Sequence, residues 1–325
     1  TGGAGSDYFS VWNGATDIAV DSITDFTAGP GGDRISVPTW ALTNYTAGDN
    51  PLVSGHVRLT KAGANTLLEV DSDGFTGVAT FRTVAILNNV TKSNLVAENL
   101  NGFDPNAIGG TPGPDSLSGG MGNDEIYGLA GNDTVNGLAG HDRLYGGADN
   151  DVLNGGDGND QLYGNEGNDS ISGGAGYDTL TGGAGDDTLS GGAGADSFDV
   201  WNGATDTAVD TITDFTVGTG GDRISVPTWA MTTYTAGGSP FVTGHIRLTQ
   251  SGVNTLLEVD SDGSGGAAVF RTVAILNDVT KSNLVADNLG GFDPNAIGGS
   301  AAADSLSGGA GNDQIYGLNG NDTLN

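Results

Sequence analysis

Residues 155–190 read GGDGNDQLY, GNEGNDSIS, GGAGYDTLT and GGAGDDTLS, four nonapeptides in succession. Each places an aspartate at position six and a large apolar residue at position eight. Extending the frame in both directions gives aspartates nine residues apart at Asp115, Asp124, Asp133, Asp142, Asp151, Asp160, Asp169, Asp178, Asp187 and Asp196. Two places after each stands Leu117, Ile126, Val135, Leu144, Leu153, Leu162, Ile171, Leu180, Leu189 or Phe198. Glycines at positions one, two and four admit turn conformations that a Cβ would forbid. The pattern therefore predicts a six-residue turn followed by a three-residue strand whose central residue points inward. Two turns and two strands close a coil of eighteen residues, so aspartates eighteen apart stack into two ladders. Rungs about 4.8 Å apart, the spacing of neighbouring strands, would repel strongly unless cations sat between them. Carboxylate and carbonyl oxygens, six to eight around one ion, describe Ca²⁺.

This GGxGxDxUx pattern, with U a large apolar residue, resembles the RTX family of type I secreted bacterial proteins over residues 110–198. The resemblance implies calcium-bound parallel β-rolls, each ion held by two position-six aspartates one coil apart and by carbonyls of the glycine turns. It also implies passage out of the cell unfolded and folding outside, where calcium is abundant. The same motif marks Asp7 in TGGAGSDYF and Asp304, Asp313 and Asp322 near the other end. Leu129, Leu138 and Asn165 replace the second glycine and Asp149 the third, so weaker binding is expected in those turns. A disordered glycine-rich linker would not keep an apolar residue in register with every aspartate.

A larger repeat encloses the small one. Shifting the chain by 189 residues superimposes SVWNGATDIAVDSITDF at 10–26 on DVWNGATDTAVDTITDF at 199–215, and residues 5–109 differ from 194–298 at 24 of 105 positions. The expected organisation is the end of a roll at 1–9, a β-rich insert at 10–109, a roll at 110–198, a second insert at 199–298 and the start of another roll at 299–325. Both termini read as cut within a longer array. The fold class is all-β, with parallel β-rolls alternating with β-sandwich-like inserts. DSITDF, DRISVP, GHVRLT, NTLLEVD and FRTVAILN are short, β-branched segments bounded by turn residues, and KSNLVAENL suits one short helix. The insert resembles the serralysin-type C-terminal β extension. That resemblance implies that Asp25, Asp33, Asp214 and Asp222 complete the last metal sites. Asp71 and Asp73, with Asp260 and Asp262 in the second copy, suit either a further Ca²⁺ site or a type I turn.

The formal charge is −30, with 10 basic residues against 40 acidic, and only Arg143 of the basic residues falls within the long nonapeptide run. Such a chain repels itself when compact unless cations neutralise it, and it is a poor partner for nucleic acid or anionic lipid. No apolar run approaches a membrane span. There is no cysteine, which removes disulfides and thiolate metal sites. The histidines are His56, His141 and His245. The first and last, beside Arg58 and Arg247, suit an exposed strand pair or a glycan contact, and His141 suits a solvated turn. Trp12, Trp40, Trp201 and Trp229 suit packing or sugar stacking, and Tyr127, Tyr145 and Tyr163 an outward aromatic stripe. No HExxH, nucleophile elbow or phosphate loop is present, so no enzyme is expected. The expected role is a calcium-dependent structural segment of a long secreted tandem-repeat protein, such as a surface layer, an extracellular filament or an adhesin stalk. Its site would be outside a bacterial cell or on its surface, with copies of itself or cell-surface polysaccharide as partners. The alternative is a carbohydrate-binding accessory module.

Overall fold

The computed structural model describes residues 2–10, 20–36, 50–53, 56–71, 81–95, 97–100, 103–200, 207–225, 239–260, 270–298, 303–307, 314–317 and 321–325. Trp12, Trp40, Trp201, Trp229, Asp73, Asp262 and Asp313 lie outside these residues. The chain forms two compact units, one of residues 1–112 with 125–129, the other of 113–124 with 130–325. Among the described residues the regular structure is β-strand and short 3-10 turns. No helix among the described residues is long and apolar enough to cross a membrane.

The second unit contains the long roll. Strands Thr134–Ala139, Val152–Asp157, Ser170–Ala175 and Thr188–Ala193 stack in parallel in one sheet. Arg143–Ala148, Gln161–Glu166 and Thr179–Ala184 stack in the other. Registers such as Leu153↔Ile171 and Leu162↔Leu180 show the expected eighteen-residue coil. From Val135 onward the inward column is closed to solvent, with Val135, Leu144, Leu153, Leu162, Leu180, Leu189 and Phe198 all fully buried, while Leu117 at its start is partly exposed. Each such side chain removed from water is worth roughly 1.5–3 kcal/mol.

The strands are six residues long, not three. They run through the glycine pair, as in Gly156↔Gly174 and Asp157↔Ala175, because identical stacked backbones keep pairing until the chain turns. The turn itself occupies only positions four to six. Position two still needs φ in the left-handed region, and Gly156 has φ 115°. A Cβ there would overlap the carbonyl oxygen of Leu138 in the coil before it.

The sheets do not stop at residue 198. Ser197–Asp199 is followed in its sheet by Arg223–Ile224 (Phe198↔Ile224), and Thr188–Ala193 by Asp210–Ile212 (Leu189↔Ile212), both in parallel. Asp210–Ile212 then pairs in parallel with Arg271–Leu276, to which Asn254–Val259 and Ile246–Ser251 add as an antiparallel meander. The second insert thus grows out of a roll sheet that has nine strands among the described residues. Ile212 and Ile224 carry on the buried apolar column.

The first unit repeats this insert. Tyr8–Ser10 pairs in parallel with Arg34–Ser36, and a four-stranded sheet runs Asp21–Ile23, Arg82–Leu87, Asn65–Val70, Val57–Ala62. Its core gathers Ile23, Phe26, Ile35, Leu68, Leu87 and Leu100. KSNLVAENL forms two 3-10 turns, Lys92–Asn94 and Ala97–Leu100, instead of one helix. Leu95 between them is extended and fully buried. Asn99 is drawn to the glycine loop, accepting from Gly29 N–H at 2.8 Å and donating to Asp33 O at 2.7 Å. Tertiary contacts have overridden a segment too short to hold a helix alone.

Candidate metal ladder

Each position-six aspartate sits where strand pairing ends and the turn closes, so its carboxyl faces the coil beside it. One oxygen is used by the fold. Oδ1 of Asp133, Asp142, Asp151, Asp160, Asp169, Asp178, Asp187 and Asp196 accepts from the backbone N–H of the aspartate eighteen residues earlier, at 2.8–2.9 Å. The other oxygen is not. Oδ2 of all eight is buried with no hydrogen-bond donor on it. An unsatisfied buried carboxylate oxygen costs at least about 1–3 kcal/mol, and eight in register are unlike ordinary protein interiors.

The glycine at position one explains what the free oxygen faces. A Cβ at Gly137 would overlap both Asp142 Oδ2 and Gly155 O, and Gly146, Gly155, Gly164 and Gly173 repeat this with the next aspartate and the next coil's glycine carbonyl. Carboxylate and carbonyl oxygens therefore converge over a bare Cα. No group of three or more His, Cys, Asp or Glu side chains gathers among the described residues, so the remaining donors for a cation are carbonyls. Such an all-oxygen set suits Ca²⁺ and leaves little for a softer metal.

Without a cation, burial favours the protonated form of the ladder carboxyls. Burial raises Asp133, Asp142, Asp160, Asp169 and Asp196 above the usual carboxylate range, against the lowering effect of each amide bond. Asp151 and Asp187 are pushed up to about 7 and Asp178 to about 6, burial first and neighbouring aspartates after it.

Asp115 and Asp124 begin the two ladders and are only half-buried. Asp124 Oδ2 accepts from Gly120 N–H at 2.7 Å. Near the chain ends the same bond joins Asp304 N–H to Asp322 Oδ1 at 2.9 Å, and Asp7 keeps a buried Oδ2 without a donor. The four insert aspartates differ from the ladder. Asp33 takes Asp7 N–H and Thr27 N–H, both at 2.8 Å. Asp222 takes Asp196 N–H at 2.9 Å and Thr216 N–H at 2.7 Å. Asp25 holds Gly2 and Gly3 amides. Asp214 holds Gly191 and Gly192 amides and the Ser190 hydroxyl. In each, both oxygens are used by protein donors. Asp71 and Asp260 are buried, each with its N–H on a histidine carbonyl at 2.8 Å, which places them at a strand end.

Two features escaped the sequence. Position five carries its own ladder, in the opposite sense: Asn132, Asn150 and Asn168 accept from the N–H of Asn150, Asn168 and Asp186 at 2.6–3.1 Å. His141, exposed as expected, belongs to the parallel series, its Nδ1 accepting from Asn159 N–H at 2.8 Å. Five asparagines at that position were the available signal. The other is Asp210, which stands where the next rung after Asp187 belongs, its Oδ1 accepting from Asp187 N–H at 3.1 Å.

The exposed strand pair expected at the two GHxRLT segments is corrected. His56 and His245 are buried, 3% and 2% exposed, because each directly precedes a hairpin strand and its carbonyl closes that strand's end. Arg58 and Arg247 are half-exposed but engaged, each 2.8 Å from Glu69 or Glu258 and lying over the ring of Phe81 or Phe270. The tyrosine stripe is not fully open either. Tyr127 is buried, and Tyr145 and Tyr163 stack on each other with centroids 5.1 Å apart.

The family model described as RTX calcium-binding nonapeptide repeat (4 copies) matches residues 108–135, 127–162, 136–171, 163–198 and 290–325. No curated protein sequence matches. Among solved structures, the AlgE6R3 subunit of the Azotobacter vinelandii mannuronan C5-epimerase is similar at 25% identity over 56% of this chain and 83% of that one, TM-score 0.27. The extracellular lipase LipA of Serratia marcescens is similar at 20% identity over 63% of this chain and 44% of that one, TM-score 0.27. Residues 108–198 and 290–325 therefore carry RTX calcium-binding nonapeptide repeats, which bind Ca²⁺ at multiple sites.

Proposed function

We propose that this chain is a calcium-folded structural segment of a long secreted tandem-repeat protein, built into a surface layer, filament or adhesin stalk on or outside a bacterial cell. The observation that carries the reading is the column of buried, donorless Oδ2 atoms, those of Asp142, Asp151, Asp160, Asp169 and Asp178 each beside a glycine carbonyl of the next coil. The ligands are the position-six aspartates from Asp115 to Asp196, with Asp7, Asp304, Asp313 and Asp322 in the flanking repeats. Calcium supplies charge neutralisation between rungs when bound. The aspartates position it through amide-anchored Oδ1 atoms, and position-one glycines leave room for it. Near-identical 189-residue units favour a scaffold, since equal units give either length or equivalent contacts for ordered assembly.

The test is electron microscopy of the chain in millimolar calcium and after chelation, with binding to cell-surface polysaccharides measured alongside. Fibres, sheets or uniform rods that vanish on chelation support the scaffold. Saturable polysaccharide binding without any ordered particle counts against it and in favour of a carbohydrate-binding module.

A further inference from the structure

Register joins nine residues into one outward row across the sheet that the roll shares with the second insert. Thr249 pairs with Leu256, Leu256 with Ile275, and Ile275 with Thr211. Thr211 pairs with Thr188, and the row continues along position seven of successive coils through Val152 to Ser116. Residues paired in this way share one face of a sheet. None of the nine is charged and none is buried, whereas the chain neighbours Leu257, Ala274, Ile212 and Leu189 on the opposite face are closed to solvent.

Position nine supplies a second row, Ser or Asn in every coil of this sheet, with Asn154 donating to Asn136 at 2.9 Å. Position two supplies a third, glycine except for Leu138, which is 53% exposed. Charge begins at the rim, with Asp157 at one strand end and Asp214 on the Ser190 hydroxyl. In the row beside Leu256, Arg247 and Glu258 offset each other. The other roll sheet lacks this character, since its outward positions seven and nine carry Arg143, Asp199 and, in the strand that continues it, Arg223. The first insert repeats the insert end of the row as Thr60, Leu67, Ile86 and Ser22.

In a chain of −30, a face this free of charge is where a second, equally acidic copy can approach with least repulsion. Hydroxyls and amides both donate and accept, so the face can match itself, which a two-fold contact requires. The nine strands span roughly 40 by 20 Å, on the order of 800 Å², which is what one partner gives to a standard interface. No aromatic ring stands in the three rows for a sugar to stack on, and the Tyr145–Tyr163 pair belongs to the other sheet. We propose that two copies of this chain dock face to face through this uncharged side of the sheet. The inference deepens the scaffold reading and rests on it, naming the surface by which units meet.

The experiment is sedimentation velocity of the whole chain at saturating calcium over a range of concentrations, with circular dichroism and bound metal matched between variants. Wild type is expected to self-associate, and Ser170→Glu to do so about tenfold more weakly. Thr179→Glu, at the same repeat position on the other sheet, should match wild type. The chain has no cysteine, so a spin label on Ser170→Cys or Thr179→Cys reports one place, and only the first should broaden on association. That comparison holds even where Ser170→Glu misfolds. Wild type that stays monomeric, equal association in Ser170→Glu and wild type, or broadening at Thr179 that equals that at Ser170 overturns the proposal. Calcium-dependent fibres that persist in Ser170→Glu overturn it while leaving the scaffold reading intact, whereas saturable polysaccharide binding without association, lost in Ser170→Glu, overturns both.

Discussion

At Leu138 an L-residue is held at φ 82° where the neighbouring coil has Gly156. A left-handed conformation costs a residue with a Cβ roughly 1–2 kcal/mol relative to glycine, and Leu138, 53% exposed, recovers little by burial. Leu138→Gly is therefore expected to raise the thermal midpoint in calcium, by about 1 kcal/mol of stability. Gly158→Ala should do the opposite and more strongly, since its Cβ would overlap Gly140 O. Thermal melts of both variants check the pair, and a destabilised Leu138→Gly would show that the site does not carry strain.

The ladder carboxyls make a second claim at this scale. Asp151 and Asp187 at about 7 and Asp178 at about 6 lie above the ordinary value for an unfolded aspartate. The metal-free roll then binds more protons than the unfolded chain, so its stability is greatest below about pH 4 and declines as pH rises through 6 to 7. Chelated protein should show more strand signal at pH 4.5 than at pH 8. With calcium present the sign reverses, because protons compete for the same oxygens, and the calcium midpoint should rise as pH falls below 7. Chelated chain equally ordered at both pH values would contradict the ascribed burial.

Among elements, the nonapeptide strand was legible because nine residues fix both the aspartate and the buried residue two places on. What could not be read was where the roll ends. The D-x-U unit recurs as Asp210-x-Ile212 and Asp222-x-Ile224, but loops lengthen the step from 18 to 23 and 26 residues. The period breaks while the pairing continues. The buried histidines were missed for a related reason: residue identity alone does not tell that a hairpin closes over its own first residue. At the junction, Asp214→Ala removes the acceptor for Gly191, Gly192 and Ser190. It should cost about 1–3 kcal/mol and leave the number of bound ions unchanged. Along the turns, Asn150→Ala breaks one link of the position-five ladder, where Asn168 N–H reaches its side chain at 2.6 Å. About 1 kcal/mol and no lost ion are expected, by denaturant melts and metal counting.

For the whole molecule, charge decides more than core size. The chain carries −30, and two unit charges one rung apart, about 5 Å, repel by about 3 kcal/mol at an effective dielectric of about 20. Each coil buries one apolar column residue per strand, so burial alone is shared thinly among many like charges. Solenoids of this kind gain stability from neighbouring coils, and here each added coil also adds two carboxylates that need a counter-charge. Folding and metal uptake therefore become one process, held off wherever calcium is scarce. The direct measurement is circular dichroism of the whole chain during a calcium titration after exhaustive chelation at neutral pH. The account predicts a mainly unfolded spectrum without metal and a cooperative gain of strand signal at or below millimolar calcium. A strand signal already complete in chelator would contradict it.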